Sequence, residues 1–356
     1  MNDPLFSVRQ PAHNKNAGSN ITQHRESPAR IAARTPGRDM STNGSQPNLR
    51  WAYMDHWRID SPQGYVSQYS SVERFDGFLK QIAALGFEAI ETFSFHVPVL
   101  IDLFGSLPNA RAFMQERGID RVLSLFLAVI FDDRQTQPHL RATHDNLVKH
   151  TEFVVKAAAG LGVENLIVMP AGQYHAVEPV TDERIRACAE AWSRVGKMTL
   201  DHGIRTVCHH EFYCGIHHLD ELRKFYEWSD PRYVFWYCDT AQHVIAGVDP
   251  VKLYLELHDR CAGFHLKDTH HVDRVEDYRQ RPESEVTAKT TRRWFWEMGT
   301  PEGLVDFPNL FKALKEYQYK GWVSVEHDKA DFGGNYPEST AVAAWYIQNV
   351  LKKIYR

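Results

Sequence analysis

DERIRACAEAWSRVGKMTLDHGIRTVCHHEF, residues 182–212, holds one unit of a repeating pattern. Its first part (182–203) carries apolar residues at helical spacing and closes on Gly203, a helix stop. IRTVCHHEF (204–212) then reads as a short strand whose far end carries two histidines and a glutamate. A strand buried on both faces tolerates polar residues only where it leaves the sheet, so the polar end marks where the strand stops.

Outward from this stretch the unit recurs. Short apolar runs stand at RWAYMDH (50–56), FEAIETFSF (87–95), IDRVLSLFLAVI (119–130) and VENLIVMPAG (163–172) before it. RYVFWYCDT (232–240), CAGFHLKD (261–268) and GWVSVEHD (321–328) follow it. Helical spacing fills the gaps over 72–87, about 97–117, 147–162, 182–203, 219–228, 250–258 and 307–319, with a last amphipathic segment at 338–355. Eight strands alternating with helices predict an α/β chain with a parallel sheet, and eight is the number that closes a (β/α)8 TIM barrel. An open doubly wound sheet is the alternative, but the glycine-rich turn of a dinucleotide fold is missing after the first strand.

Residues 1–49 break the pattern. They are rich in Asn, Ser, Pro, Gly and Arg and poor in large apolar residues, which predicts a disordered extension before a barrel domain at 50–356. No apolar core of a secretory signal lies there, and no run in the chain is long and apolar enough to span a membrane. Five cysteines without a CxxC pair suit reduced thiols and a cytoplasmic chain. A net charge of −4 without a clustered basic surface speaks against a nucleic-acid partner.

In a closed barrel, reactive groups collect at the C-terminal strand ends. Here those ends carry Asp55 and His56, then Glu91, then His209, His210 and Glu211, then Asp239, then His265 with Lys267 and Asp268, then Glu326, His327 and Asp328. Any one strand-end histidine would read as a packed polar residue. Carboxylates and imidazoles at four consecutive strand ends read as a metal site. Alternation puts His209 and Glu211 on one face and His210 on the other. The expected ligand set is Glu211, Asp239, His265 and Glu326, with His209 as a ligand or beside them. That set suits one divalent ion, with Mn²⁺ first and Mg²⁺, Co²⁺ or Zn²⁺ as alternatives. Glu91, His56 and Gln242 are substrate-binding candidates, with packing the competing role for Glu91.

FHLKD (264–268), CDTAQHVIAGVDPVKL (238–253), GFEAIET (86–92) and the segment 299–328 together resemble the xylose-isomerase-like TIM barrels over about residues 50–355. That family includes sugar-phosphate isomerases/epimerases, inosose dehydratases and catalytic subunits of C-glycoside deglycosidases. The resemblance implies a divalent metal held from strands five to eight, and Asp239, His265 and Glu326 match those positions. At strand five, His209 and Glu211 stand in the reverse of the family's usual order, and Gln242 stands where many members have histidine. The implied chemistry is proton abstraction next to the carbonyl of a keto-sugar or related polyol, giving an isomer or epimer. Loss of a leaving group from an inosose or a 3-keto-glycoside is the alternative fate. His209, Glu211, Glu326 and Lys267 are the catalytic candidates. A sugar-binding barrel without catalysis is the rival from another class, and the retained Asp239, His265 and Glu326 argue against it. A homo-oligomer or a complex with a small partner subunit is the expected assembly.

Overall fold

The computed structural model describes residues 49–55, 58–61, 64–127, 135–274, 294–328 and 336–356. Most of the expected 1–49 extension and His56 lie outside these residues. Eight parallel strands close into one barrel. In chain order they are β1 (Arg50–Met54), β2 (Ala89–Phe93), β3 (Val122–Phe126), β4 (Asn165–Val168), β5 (Arg205–His209), β6 (Val234–Asp239), β7 (Cys261–Leu266) and β8 (Trp322–Val325). Each lies inside one of the eight expected runs, and β1 pairs with β8 to close the ring. The expected TIM barrel is therefore the observed fold.

The helix Asp182–Asp201 shows why the units form. Thr181 caps it by accepting from the Arg184 backbone N–H, and Asp182 and Glu183 favour its positive end. One face buries Ile185, Cys188, Trp192 and Val195 against the barrel, and Trp192 Nε1 donates to the Pro170 carbonyl at 2.9 Å. Gly196 lies so close to the chain before β6 that a Cβ there would fall 2.1 Å from the Tyr233 carbonyl oxygen. Gly203, at φ 73°, makes the left-handed exit into β5.

Two departures from the expected elements have local causes. The helix expected over 97–117 is two helices, His96–Phe104 and Leu107–Gln115. Gly105 adopts φ 75° and ends the first, and Ser106 caps the second by accepting from the Asn109 backbone N–H. The stretch after β7, to which the run-and-period pattern assigns no element, holds a short antiparallel pair, Asp268–Thr269 with Phe295–Trp296. Residues 275–293 of that region lie outside the described residues. All five cysteines are unpaired. Among the described residues no helix is long and apolar enough to cross a membrane.

Inside the barrel a buried polar layer underlies the strand ends. Glu91 Oε1 accepts from Ser124 Oγ at 2.5 Å and from the Tyr237 hydroxyl at 2.6 Å. Asn165 Nδ2 donates to Ser124 Oγ at 3.3 Å. Tyr237 can cross the interior because residue 263 is glycine: a Cβ there would stand 2.3 Å from its ring.

Candidate metal centre

Strand register delivers the reactive groups. Asp239 pairs with His265 across β6 and β7, and His265 pairs with Ser324 across β7 and β8. Glu326, two residues after Ser324, rises on the same inner face. His209 is the last residue of β5 and pairs with Tyr237. One donor atom from each of His209, Asp239, His265 and Glu326 falls within 4.8 Å of all the others, and all four residues are buried.

The donor set fits a divalent ion. Ligands held about 2.0–2.2 Å from one ion lie at most about 4.4 Å apart, so a small contraction would close this cluster. His209 Nε2 stands 3.1 Å from Asp239 Oδ2 and 4.0 Å from Glu326 Oε2. His265 Nδ1 stands 2.6 Å from Glu326 Oε2, an ion pair when the ring is protonated.

Each imidazole is backed by a carboxylate on its other nitrogen. Glu91 Oε2 lies 2.9 Å from His265 Nε2. Glu211 Oε1 lies 3.2 Å from His209 Nδ1. This arrangement fixes ring orientation and raises ligand basicity. Burial disfavours a charge on His209, but Glu211 and Asp239 outweigh it and raise its pKa to about 10. Burial likewise opposes a charge on His265, and Glu326 and Glu91 outweigh it and raise its pKa to about 9. Burial pushes the Glu211 carboxyl upward. For Asp239, burial is outweighed by Lys267 and His209, which hold it below the ordinary carboxylate range.

The structure places the remaining expected residues as follows. Lys267 is buried, and its Nζ lies 3.0 Å from Asp239, 2.9 Å from Glu326 and 2.5 Å from Asp328. Burial disfavours its charge, but Asp239, Asp328 and Glu326 more than restore it, so the ammonium holds its proton firmly. Glu211 stands behind His209 rather than within the converging four. Glu91, a substrate candidate, is fully buried beneath His265, with both oxygens engaged by side chains. Gln242 is also buried, and its Oε1 accepts from the Phe212 backbone N–H at 3.2 Å. His210 points outward, between the Ile216 carbonyl and the Tyr226 hydroxyl, each 2.9 Å away. Burial, then the nearby His243, keeps it neutral, opposite in sign to its neighbour His209.

Tyr237 and Ser124 support the site without having been singled out as site residues. Strand alternation carried the signal, since Tyr237 is two residues before Asp239 and shares its face. An open groove of about 840 Å³ on the helical shell, lined in part by Arg141, Glu190, Arg194 and Arg232, shares no residue with the cluster. Its arginines pair with Glu190, Asp145 and Asp230.

A closed parallel barrel with acid and imidazole groups at four adjacent strand ends defines a TIM barrel with its reactive groups on the usual face. The chain belongs to the xylose isomerase-like TIM barrel family, whose model matches residues 79–348. It is 25% identical over 279 residues to an inosose dehydratase from Geobacillus kaustophilus (strain HTA426), covering 77% of this chain and 85% of that protein. Among solved structures its fold is similar to the IOLI protein with a bound zinc atom, with a TM-score of 0.63 at 15% identity, covering 86% of this chain and 99% of that one. It is also similar to an L-ribulose 3-epimerase, with a TM-score of 0.62 at 16% identity, covering 86% and 96% of the two chains.

Proposed function

We propose that this chain is a divalent-metal-dependent enzyme that removes a proton next to the carbonyl of a keto-sugar or keto-polyol. The observation that carries this reading is the buried convergence of His209, Asp239, His265 and Glu326, each imidazole backed by its own carboxylate. We assign His209 Nε2, Asp239, His265 Nδ1 and Glu326 as ligands, and Glu91 and Glu211 as the residues that position the two rings. Two imidazoles in the set, where one was expected, move the preference toward Zn²⁺ or Co²⁺ and leave Mn²⁺ as an alternative. When bound, the ion supplies Lewis-acid polarisation of the carbonyl.

The chain's own residues do the rest. Glu326 takes the proton from carbon through its second carboxylate oxygen. Lys267 stays protonated, so it acts as a fixed positive charge toward the oxygen on which negative charge develops. It is not the base. Elimination is the fate the geometry favours. At strand five the cluster holds His209, with Glu211 behind it, so Glu326 is the one carboxylate we assign as base. One carboxylate can serve elimination: Glu326 removes the C–H proton, the C–H electron pair becomes the new C=C bond, and the departing hydroxyl takes that proton and leaves as water. The similarity to an inosose dehydratase supports this outcome. Isomerisation or epimerisation, in which the proton returns to carbon, is the second reading and is supported by the fold's likeness to an epimerase.

Elemental mass spectrometry of the purified chain tests the first step. About one equivalent of a divalent ion is expected, and it should be absent from Asp239→Ala. A metal-free chain after reconstitution would end the proposal. Turnover of keto-polyols in deuterated water then separates the fates. Elimination gives a product lighter by one water, whereas epimerisation gives a substrate isomer carrying deuterium.

A further inference from the structure

The barrel mouth holds an ammonium whose hydrogens are all engaged. Lys267 Nζ lies 3.0 Å from Asp239 Oδ2, 2.9 Å from Glu326 Oε2 and 2.5 Å from Asp328 Oδ2. A lysine ammonium has three N–H donors, so each acid takes one. The backbone beneath it is pinned. Thr240 Oγ1 donates to the Lys267 carbonyl at 2.6 Å and accepts from the Lys267 backbone N–H at 3.0 Å. Any change of partner therefore falls to the side chain.

Two of the three partners are claimed twice. Asp239 Oδ2 and Glu326 Oε2 are also the oxygens that meet the imidazoles. His209 Nε2 lies 3.1 Å from the first, and His265 Nδ1 lies 2.6 Å from the second. An ion held by these two oxygens would compete with the ammonium for them. Like charges that close repel strongly where water is excluded.

The third partner differs. Asp328 stands outside the converging four, and its side chain is 22% exposed, against 0% for Asp239 and 5% for Glu326. The Phe295 ring lies 5.0 Å from Nζ, and the face of an aromatic ring favours a cation. Lys267 thus has an inner pair of acceptors that an ion would take, and an outer hold that an ion would leave intact.

We propose that Asp328 is a positioning residue that retains Lys267 when a divalent ion takes the two inner oxygens, which turns the freed N–H donors toward the substrate. This rests on the reading of the cluster as a metal centre, and it gives that centre an order of assembly. While all three donors are spent on carboxylates, Lys267 has none for a substrate oxygen. It gains them only after the ion has entered. The rival role for Asp328 is a static charge, one more carboxylate that favours any cation nearby. The two roles differ in whether Asp328 acts through Lys267.

Calorimetric titration of the stripped chain with Zn²⁺ separates them. Asp328→Ala is expected to weaken binding about tenfold, because the ammonium loses its outer acceptor and keeps to the ligand oxygens. Asp328→Glu retains a carboxylate and should bind within about threefold of the native chain. Lys267→Met should tighten binding about tenfold. In that background Asp328→Ala should change affinity by less than about twofold. Lys267→Gln, which leaves an amide to donate to the carboxylates, takes the place of Lys267→Met if thermal unfolding shows that the methionine variant does not fold. Native affinity in Asp328→Ala, weaker binding in the Lys267 variant, or a loss from Asp328→Ala that persists without Lys267 would each overturn this inference and leave the metal centre standing. A native chain that takes up no Zn²⁺ would overturn both.

Discussion

Replacing Glu211 with glutamine should change how many protons the chain releases when it takes up a metal. In the metal-free chain His209 titrates near 10 and His265 near 9, so both rings are charged at pH 7.5. A metal ligand must be neutral, so binding displaces about two protons per ion. The sign follows: each raised pKa favours the competing proton, so metal affinity climbs as pH rises and levels off only above the folded-state values. With two protons the gain is about a hundredfold per pH unit between pH 6.5 and 7.5. Burial opposes the charge on His209, and Glu211 is the first of the groups that restore it. Without that carboxylate only Asp239 still opposes burial, so the His209 pKa falls, release drops below about two protons and the gain per pH unit becomes shallower than about a hundredfold. Calorimetric titration of the stripped protein with Zn²⁺, in buffers of different ionisation enthalpy, counts these protons directly. Identical counts for the native chain and Glu211→Gln, or no release at all, would refute the assignment of Glu211 as the partner of a ligating His209.

Other outcomes test other layers. Glu91→Gln should weaken metal affinity about 10–100-fold in competition with a chelator, because His265 loses the carboxylate that orients it; unchanged affinity would return Glu91 to a packing role. His210→Ala should cost about 1–3 kcal/mol in urea unfolding by leaving the Ile216 carbonyl and the Tyr226 hydroxyl with only their weaker bonds to Cys214 Sγ and the Cys208 carbonyl. It should keep a full equivalent of metal, and loss of metal would show that the two adjacent histidines had been assigned to the wrong faces. Gly263→Ala should destabilise by about 1–3 kcal/mol or more and lower metal affinity as well, since the new Cβ displaces the Tyr237 ring that holds Glu91. Tyr237→Phe keeps the ring and removes only the bond to Glu91, so its effect on stability should be the smaller of the two.

The sequence made the barrel legible because the barrel strands are largely buried and most helices between them are amphipathic, so apolar runs and helical periods alternate. Alternation along β5 also separates His209 from His210, as their partners Asp239 and the Ile216 carbonyl reflect. The choice between His209 and Glu211 was less legible. Both lie on the inner face, and β5 ends at His209, so the carboxylate two residues on turns back against Nδ1. Strand periodicity does not extend past the strand. Glu91 was misleading for a related reason. Its position reads as a strand end, but β2 continues to Phe93, so its side chain lies within the barrel against His265. The hydrophobic run at 97–117 hid a break because Gly105 and Ser106 interrupt it without altering its apolar spacing.

The charge arrangement explains how such a site can belong to a stable fold. Glu91, Glu211, Asp239, Glu326 and Asp328 crowd around one end of the barrel, and the first four are buried. Uncompensated, they would oppose folding strongly. Lys267 answers one of these charges. Two imidazolium rings answer two more, which the raised pKa values of His209 and His265 allow. When a divalent ion displaces those two protons, the same two positive charges return at nearly the same place. Metal uptake is thus close to a charge-neutral exchange, and the carboxylates meet similar compensation in both forms. The barrel can fold before it is loaded, and the proton count that reports the exchange is the same one that Glu211→Gln would change.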